Sequence, residues 1–289
     1  MSILAGRDSR VVVIGITGRY GSKQIESMLK YGTRIVAGVT PGKGGETVSG
    51  VPVYDRVDEA VRKSGANCGI IYVKGLDVKE AAFEAIEAGI GLLVIATENV
   101  PTRDTMEIRH FSMLRDCWVV GPNSIGIISP GETLIGSLGP SYATPGTVGL
   151  LSRSGTLSVE ITHILSKGGI GQSTCISMGG DMVIGRNPCA YLKLFEEDPL
   201  TRAVVLVGEI GGLKENEAAD YIPKMTKPVV CFIAGRSVPQ GKRMGHVGAI
   251  ISGENVTAES KRKVLKNAGA YIADTPWEIV DILKQLQVK

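Results

Sequence analysis

Residues 10–22 read RVVVIGITGRYGS. Arg10 to Ile14 is a β-branched run of strand type, Gly15 to Ser22 is a glycine turn, and a helical pattern continues to about Tyr31. Strand, glycine turn and helix form the unit that cradles phosphate: N–H groups at the helix start face an anion, and glycines let it come close. The spacing is GxxGxxG rather than the GxGxxG of dinucleotide enzymes. The next strand, Arg34 to Val39, closes on Gly38-Val39-Thr40, with no acid for a ribose hydroxyl. Both features argue against NAD. Pro41-Gly42-Lys43-Gly44-Gly45 lacks the spacing and the Ser or Thr of a P-loop, but it sets Lys43 in a glycine loop suited to a second phosphate.

Outward from this unit the pattern repeats. Strand-type runs at Cys68 to Val73, Gly91 to Ala96 and Trp118 to Val120 alternate with helical periods at about Val57 to Ser64, Val78 to Ala88 and Thr102 to Asp116. Such alternation predicts a parallel sheet with right-handed crossovers, a Rossmann-type domain over residues 1–125. Its ligand belongs across the strand C-termini, where Thr17 to Ser22, Val73-Lys74, Thr97-Glu98-Asn99 and Asn123 converge. Residues 126–147, rich in proline and glycine, read as an irregular linker.

A second α/β domain, flavodoxin-like in rhythm, is expected over residues 148–289. The strand Val148 to Ser152 runs into Arg153-Ser154-Gly155-Thr156-Leu157, where Ser154 or Thr156 can cap a helix whose first N–H groups form a second anion site. Strands near Ser173 to Met178, Ala203 to Val207 and Val229 to Ile233 lead to Gly179-Gly180-Asp181, to Gly208-Glu209-Ile210-Gly211-Gly212 and to the loop GRSVPQGKRMGHVGAIISG, residues 235–253. That loop carries His246 between Gly245 and Gly248, with Lys242 and Arg243 upstream. Loops that follow parallel strands share one sheet edge, so Ser152 to Thr156, Asp181, Glu209 and His246 can meet. A carboxylate beside a histidine orients the ring. With a helix N-terminus to hold an anion, the set describes a histidine that carries a phosphoryl group.

Composition narrows the classes. The 289 residues are 43% hydrophobic and 21% charged, with 38 glycines, and the net charge of +3 has no basic block of the kind nucleic acid requires. No apolar run reaches membrane-spanning length, and MSILAGRDSR lacks a signal-peptide core. Five scattered cysteines without metal-type spacing suggest reduced thiols and a cytoplasmic protein, and no metal site is expected. His110 and His163 read as ordinary helix residues, whereas Glu98 and Asp181 are turn carboxylates open to either role.

In combination these segments resemble the α subunits of NDP-forming succinate–CoA ligases, the succinyl-CoA synthetases of the tricarboxylic acid cycle, over nearly the whole chain. The matching motifs are Thr17-Gly18 to Gly21, AGVTPGKGG at Ala37 to Gly45, Gly121-Pro122-Asn123, Ser152 to Leu157, Gly179-Gly180-Asp181, Gly208 to Gly212 and Met244-Gly245-His246. The resemblance implies CoA on the first domain, contacted by Thr17, Gly18, Arg19, Tyr20, Gly21, Lys43, Ala96, Thr97 and Glu98, with Asn123 nearby. It implies that His246 is phosphorylated beside Glu209, with Ser152, Ser154, Gly155 and Thr156 binding phosphate. It also implies a heteromer with an ATP-grasp β subunit that holds ATP or GTP with Mg²⁺ and completes the site for a small carboxylic acid.

Several positions depart from the family pattern. Ser124 and Ile125 stand for Cys-Pro, Val159 for a Tyr facing the acid substrate, Gly139 to Ala143 for Pro-Gly-His-Ile-His, Met182 for Pro, and Lys74-Gly75-Leu76 for Pro-Ala-Pro. The relay residues are kept while positions near the acyl group and CoA tail change. Malate, citrate or a sulfonated acid is therefore the alternative to succinate, and a non-catalytic CoA-binding paralogue is the alternative to a ligase.

Overall fold

A computed structural model of the chain describes residues 2–239, 245–246, 249–250 and 253–288. Lys242, Arg243, Met244, Val247 and Gly248, which the sequence placed around the histidine, lie outside the described residues.

The opening stretch folds as its pattern predicts: β1 (Arg10–Ile14) enters the glycine turn and α1 (Arg19–Tyr31) leaves it. Next come β2 (Arg34–Val39), the short hairpin β3 (Thr47–Val48) and β4 (Val51–Tyr54), and α2 (Val57–Ser64). The half is completed by β5 (Cys68–Ile71), α3 (Val78–Glu87), β6 (Leu92–Ile95), α4 (Thr102–Leu114) and β7 (Trp118–Val120). The sheet order is β3-β4-β2-β1-β5-β6-β7, parallel except at β3–β4. The chain winds outward from β1 to β4, then returns to lay β5 on the other side of β1. That reversal opens a crevice at the C-terminal ends of β1 and β5, immediately above the glycine turn.

Residues 126–147 depart from the irregular linker expected of them. They contain β8 (Gly126–Ser129) and β9 (Thr133–Gly136), an antiparallel pair that joins the second sheet through β11 (Gln172–Ser177). The glycines that hide the strand pattern are what let it form. Gly126 and Gly136 are paired, with φ of +96° and +128°, and a side chain at Gly136 would meet backbone of the facing strand.

The second sheet continues with β10 (Pro145–Ser152), α5 (Gly155–Lys167), β11, α6 (Pro188–Glu197), β12 (Ala203–Glu209) and α7 (Lys214–Tyr221). It ends with β13 (Val229–Ala234), α8 (Ala258–Asn267), β14 (Tyr271–Ala273) and α9 (Glu278–Gln285). Its order is β14-β13-β12-β10-β11-β8-β9, so the strand order reverses between β10 and β12, whose last residues are Ser152 and Glu209. These central strands are buried on both faces, as the unbroken apolar run of β12 requires. Each Val, Leu or Ile buried there contributes about 1.5–3 kcal/mol of transfer free energy.

The two sheets share a core. One face of the first packs into a hydrophobic cluster continuous with that of the second, while its other face, under α2, α3 and α4, forms a separate cluster. The join runs through α1 and β9. Thr33, just beyond α1, donates its hydroxyl to Leu134 O at 2.7 Å and accepts from Leu134 N at 3.1 Å, and Tyr31 Oη accepts from Gly131 N at 2.8 Å. A second join lies at the sheet edges, where Gly121 N donates to Met178 O at 3.1 Å.

Candidate active site

Glu209 ends β12 beside the strand-order reversal, with only 2% of its surface exposed. Its carboxylate oxygens both lie 2.9 Å from His246 Nδ1. The imidazole lies against the backbone of Gly180: a Cβ added at Gly180 would come within 2.6 Å of His246 Cγ, so only glycine allows this ring position. The hydrogen bond to Glu209 raises the His246 pKa above its ordinary value of 6.5, outweighing the opposing effects of burial and of Arg153.

Glu209 sits on a buried cluster of charges. Arg153 Nη2 lies 3.3 Å from Glu209 Oε1, and Arg153 Nη1 donates to Gly211 O at 2.9 Å and Glu215 Oε1 at 3.1 Å. Lys261 Nζ donates to Glu209 O at 2.7 Å, to Gly211 O at 2.6 Å and to Glu215 Oε2. Glu215 Oε1 in turn accepts from Glu209 N at 3.1 Å. Burial alone would push the Glu215 pKa up; Arg153 and Lys261 overcome it and hold the carboxyl below its ordinary range. Lys214 packs close by, donating to Asp181 O, and burial with the nearby Arg153 lowers its pKa to about 8.

Ser154 is the cap of α5, its Oγ accepting from Leu157 N at 3.3 Å. Ser152 is fully buried and donates its hydroxyl to Ser154 O at 2.8 Å, so it shapes the turn from inside. Gly155 packs on Ile125, and Thr156 is exposed at the helix start. Of the four residues expected around phosphate, Ser154, Gly155 and Thr156 form the accessible rim, and Ser152 lies behind them.

The residues expected at CoA divide into two groups. Tyr20, Ala96, Thr97, Glu98 and Asn123 line one cleft of about 400 Å³ with Tyr72, Val73, Ser124 and Ile125. Tyr72 Oη is buried there with no hydrogen-bond partner among the described residues. Thr17, Gly18, Arg19, Gly21 and Lys43 lie outside that lining. Thr17 Oγ1 is 3.1 Å from Thr40 Oγ1, and exposed Lys43 pairs with Glu46 at 2.9 Å. A Cβ at Gly21 would stand 2.5 Å from Gly15 O, which explains the third glycine of the turn.

Asn123 links this cleft to the histidine: its Nδ2 donates to Asp181 Oδ1 at 3.0 Å, and its carbonyl accepts from Gly180 N at 3.3 Å. Asp181 is thus a strut of the site. Val159 lines a neighbouring cavity of about 510 Å³ with Gly155, Thr156, Tyr142 and His163. Ile125 borders both cavities. His163 therefore faces a cavity rather than being only a helix residue, with its ring 4.8 Å from that of Tyr142. A larger cleft of about 730 Å³ adjoins the charge cluster and is lined in part by Arg153 and Lys214.

Sequence reasoning brought Arg153 to the site within Ser152 to Thr156 but gave it no role, and it missed Glu215, Lys261 and Lys214. A signal existed for two of them: Ala258, Lys261 and Leu265, and likewise Glu215, Ala218, Ala219 and Ile222, are stripes of helical spacing in which the charged residue occupies a core position.

Comparison with known proteins bears on this arrangement. Residues 6–99 match the CoA binding domain family and residues 151–271 the CoA-ligase family. A protein of Archaeoglobus fulgidus named succinate–CoA ligase [ADP-forming] subunit alpha 2 is 49% identical over 286 residues, 99% of this chain and 100% of its own. The correspondingly named α subunit of Methanothermobacter thermautotrophicus is also 49% identical, over 99% of this chain and 98% of its own. Among solved structures, ATP citrate lyase from Methanothrix soehngenii, in complex with citrate and coenzyme A, shares the fold with a TM-score of 0.89 at 22% identity. That match covers 99% of this chain and 52% of the lyase, so the chain spans about half the length of that protein.

Proposed function

The chain belongs to the family of succinate–CoA ligase α subunits, and on that premise we propose that it carries the phosphoryl relay of an NDP-forming acid–thiol ligase, with His246 as the phosphorylated residue. The observation that carries the reading is the contact of His246 Nδ1 with both oxygens of buried Glu209. A carboxylate at Nδ1 holds the proton there, which makes Nε2 the nucleophile and the site of phosphorylation.

The relay has three steps. Nε2 of His246 displaces the nucleoside diphosphate from the γ-phosphorus of ATP or GTP and takes the phosphoryl group. A carboxylate oxygen of the acid then displaces Nε2 from phosphorus, forming an acyl phosphate and restoring the imidazole. The CoA thiol loses its proton, attacks the acyl carbon and expels inorganic phosphate, leaving the thioester. A thiol attacking a carboxylate directly would have no usable leaving group, and the acyl phosphate supplies one.

Within this chain Glu209 orients the ring, and the N–H groups of the α5 start with Ser154, Gly155 and Thr156 receive the phosphate. A helix N-terminus favours an anion by up to about 2 kcal/mol in a partly buried site. The 400 Å³ cleft suits the pantetheine end of CoA, where the unpartnered Tyr72 Oη would meet a polar atom. Thr17, Gly18, Arg19 and Lys43, on the open side of the glycine turn, are assigned to the nucleotide end, with buried Gly21 shaping the turn behind them. The nucleotide and its Mg²⁺ belong on an ATP-grasp β subunit. The described residues hold no helix long and apolar enough to cross a membrane. All five cysteines are free, in keeping with a cytoplasmic location.

Incubation with the β subunit, Mg²⁺ and γ-labelled nucleotide tests the reading: acid-labile label is expected on His246 and absent from His246→Asn. An unlabelled wild-type complex that still binds CoA would instead favour a regulatory paralogue. Succinate is the acid in the relatives' names. A second acid is favoured by Val159, which with Tyr142 and His163 shapes the 510 Å³ cavity beside the α5 start. Thioester formation across succinate, malate, citrate and sulfonated acids decides between them.

A further inference from the structure

The cluster beneath Glu209 holds two cations and two carboxylates, each between 0 and 2% exposed: Arg153, Lys261, Glu215 and Glu209 itself. Such burial is costly unless the charges balance and the hydrogen bonds are satisfied. Here the charges balance, and apart from Arg153 Nε the buried side-chain polar atoms of the four find partners in a particular geometry. Lys261 and Arg153 converge on the same carbonyl, Gly211 O, at 2.6 and 2.9 Å, and on opposite oxygens of Glu215. The remaining Glu215 contact fixes the N–H of Glu209, and Lys261 fixes its carbonyl at 2.7 Å. The backbone of Glu209 is thus gripped at both ends while Arg153 steadies its side chain at 3.3 Å. A hydrophobic replacement could fill the same volume, but it could not grip three backbone groups and balance a carboxylate.

We infer that Lys261, Glu215 and Arg153 form a cage, charge-neutral once Glu209 is counted, that positions the Glu209 carboxylate for the reaction at His246. This rests on the phosphohistidine reading and deepens it. The three are positioning residues, acting through Glu209 rather than touching substrate. Their formal charges matter as well as their shape. With His246 neutral the set of four sums to zero, so deleting one charge of either sign leaves the opposite sign beside the ring. Among the described residues, Asp181, which follows β11, also acts on His246, and Lys214 at the start of α7 acts on Glu209 and Asp181; both stay in place in either variant.

The test separates positioning from mere structural support by using two variants with opposite signs. The chain is produced with ring-labelled histidine, assembled with its unlabelled β subunit, and the His246 resonance, assigned through His246→Asn, is titrated by NMR. Glu215→Gln, nearly isosteric, removes a negative charge and should lower the His246 titration midpoint. Lys261→Met removes a positive charge and should raise it, each by about half a pH unit or more. Both variants should form phosphohistidine at least about tenfold more slowly, with KM for CoA within about twofold of wild type.

Midpoints that do not move, or that move in the same direction, would overturn the cage. So would unchanged phosphorylation rates. Should Lys261→Met fail to fold, Glu215→Gln alone still decides, through the direction of its shift. A wild-type complex that takes no label would instead sink the phosphohistidine reading itself, so the two failures are distinguishable.

Discussion

Two strand-to-helix turns, one in each sheet, each stand where the strand order reverses, and they are built in opposite ways. At the start of α1 the cap is Gly18, no side chain caps the helix, and Gly18, Arg19 and Tyr20 are exposed. At the start of α5 Ser154 caps the helix, while Ser152 and Arg153 are buried and bonded to protein. The first turn is open to solvent along its whole start, the side proposed for CoA. The second is open only at its rim, Ser154 to Thr156, the side proposed for phosphate, while Ser152 and Arg153 behind it are tied to Ser154, Gly211 and Glu215. The same local topology gives an open turn in one case and a turn anchored from beneath in the other, and the difference lies in side-chain burial rather than in the backbone plan.

The sharpest separation of the two turns is expected from His246→Asn, which should cut turnover by about a thousandfold or more, since the covalent step has no substitute nucleophile, while leaving CoA affinity unchanged. Isothermal titration with CoA beside a thioester assay measures both.

A matched pair of glycine variants comes next. Gly180→Ala drives a methyl to within 2.6 Å of the His246 ring and should lower phosphorylation by about a hundredfold, the scale of a 1 Å misplacement. Gly21→Ala drives a methyl onto Gly15 O at 2.5 Å and should raise KM for CoA while phosphohistidine forms at the wild-type rate. If either variant damaged both activities equally, the division of labour would be wrong.

Glu209→Gln sharpens the contrast through pH. In the proposed relay His246 attacks phosphorus as the neutral ring, and Glu209 raises its pKa above 6.5, so wild-type phosphorylation should increase as pH rises through that raised value. In the variant the acid limb moves to lower pH and the maximum rate falls by about tenfold or more. The linked effect on stability has a definite sign. A raised folded pKa stabilises fully below the unfolded value, and that contribution fades as pH rises through the folded pKa. Thermal unfolding of Glu209→Gln should therefore lose the His246-linked part of its pH dependence.

The smallest effect belongs to Ser154→Ala. Loss of the cap costs about 1 kcal/mol, a fall of a few degrees in Tm, with phosphate release modestly faster.

Much of this architecture was legible in residue patterns. β1 and β7 have the bounds that their apolar runs predict, α1 ends at Tyr31 as expected but begins at Arg19, inside the stretch read as turn, and Glu209 and His246 meet because loops after parallel strands share an edge. What was not legible has definite causes. α7 escaped notice because KENEAADY is polar and short, with no side-chain cap to announce it, and Glu215 went with it. Lys261 sits in the basic run Lys261-Arg262-Lys263, which reads as solvated although its first member is fully buried. β8 and β9 were masked by the glycines that permit their pairing. The resemblance assigns Ser152 to phosphate, and its residue type does not announce that its hydroxyl is committed to Ser154 O.

The seam where α1 meets β9 has a consequence for how such proteins are recombined. Tyr31 and Thr33 bond to Gly131 and Leu134, so the helix that begins at the CoA turn finishes against residues following the expected boundary at 125. A chimera joined at that boundary would pair the CoA half of one relative with the hairpin of another and mismatch this seam. The hairpin is bound to the other half as well, β8 pairing with β11 from Gly126 to Ile128, so a cut after Gly136 would mismatch that pairing instead. Swaps at either point should therefore melt below both parents in calorimetry, and the hairpin is best exchanged together with both of its neighbours.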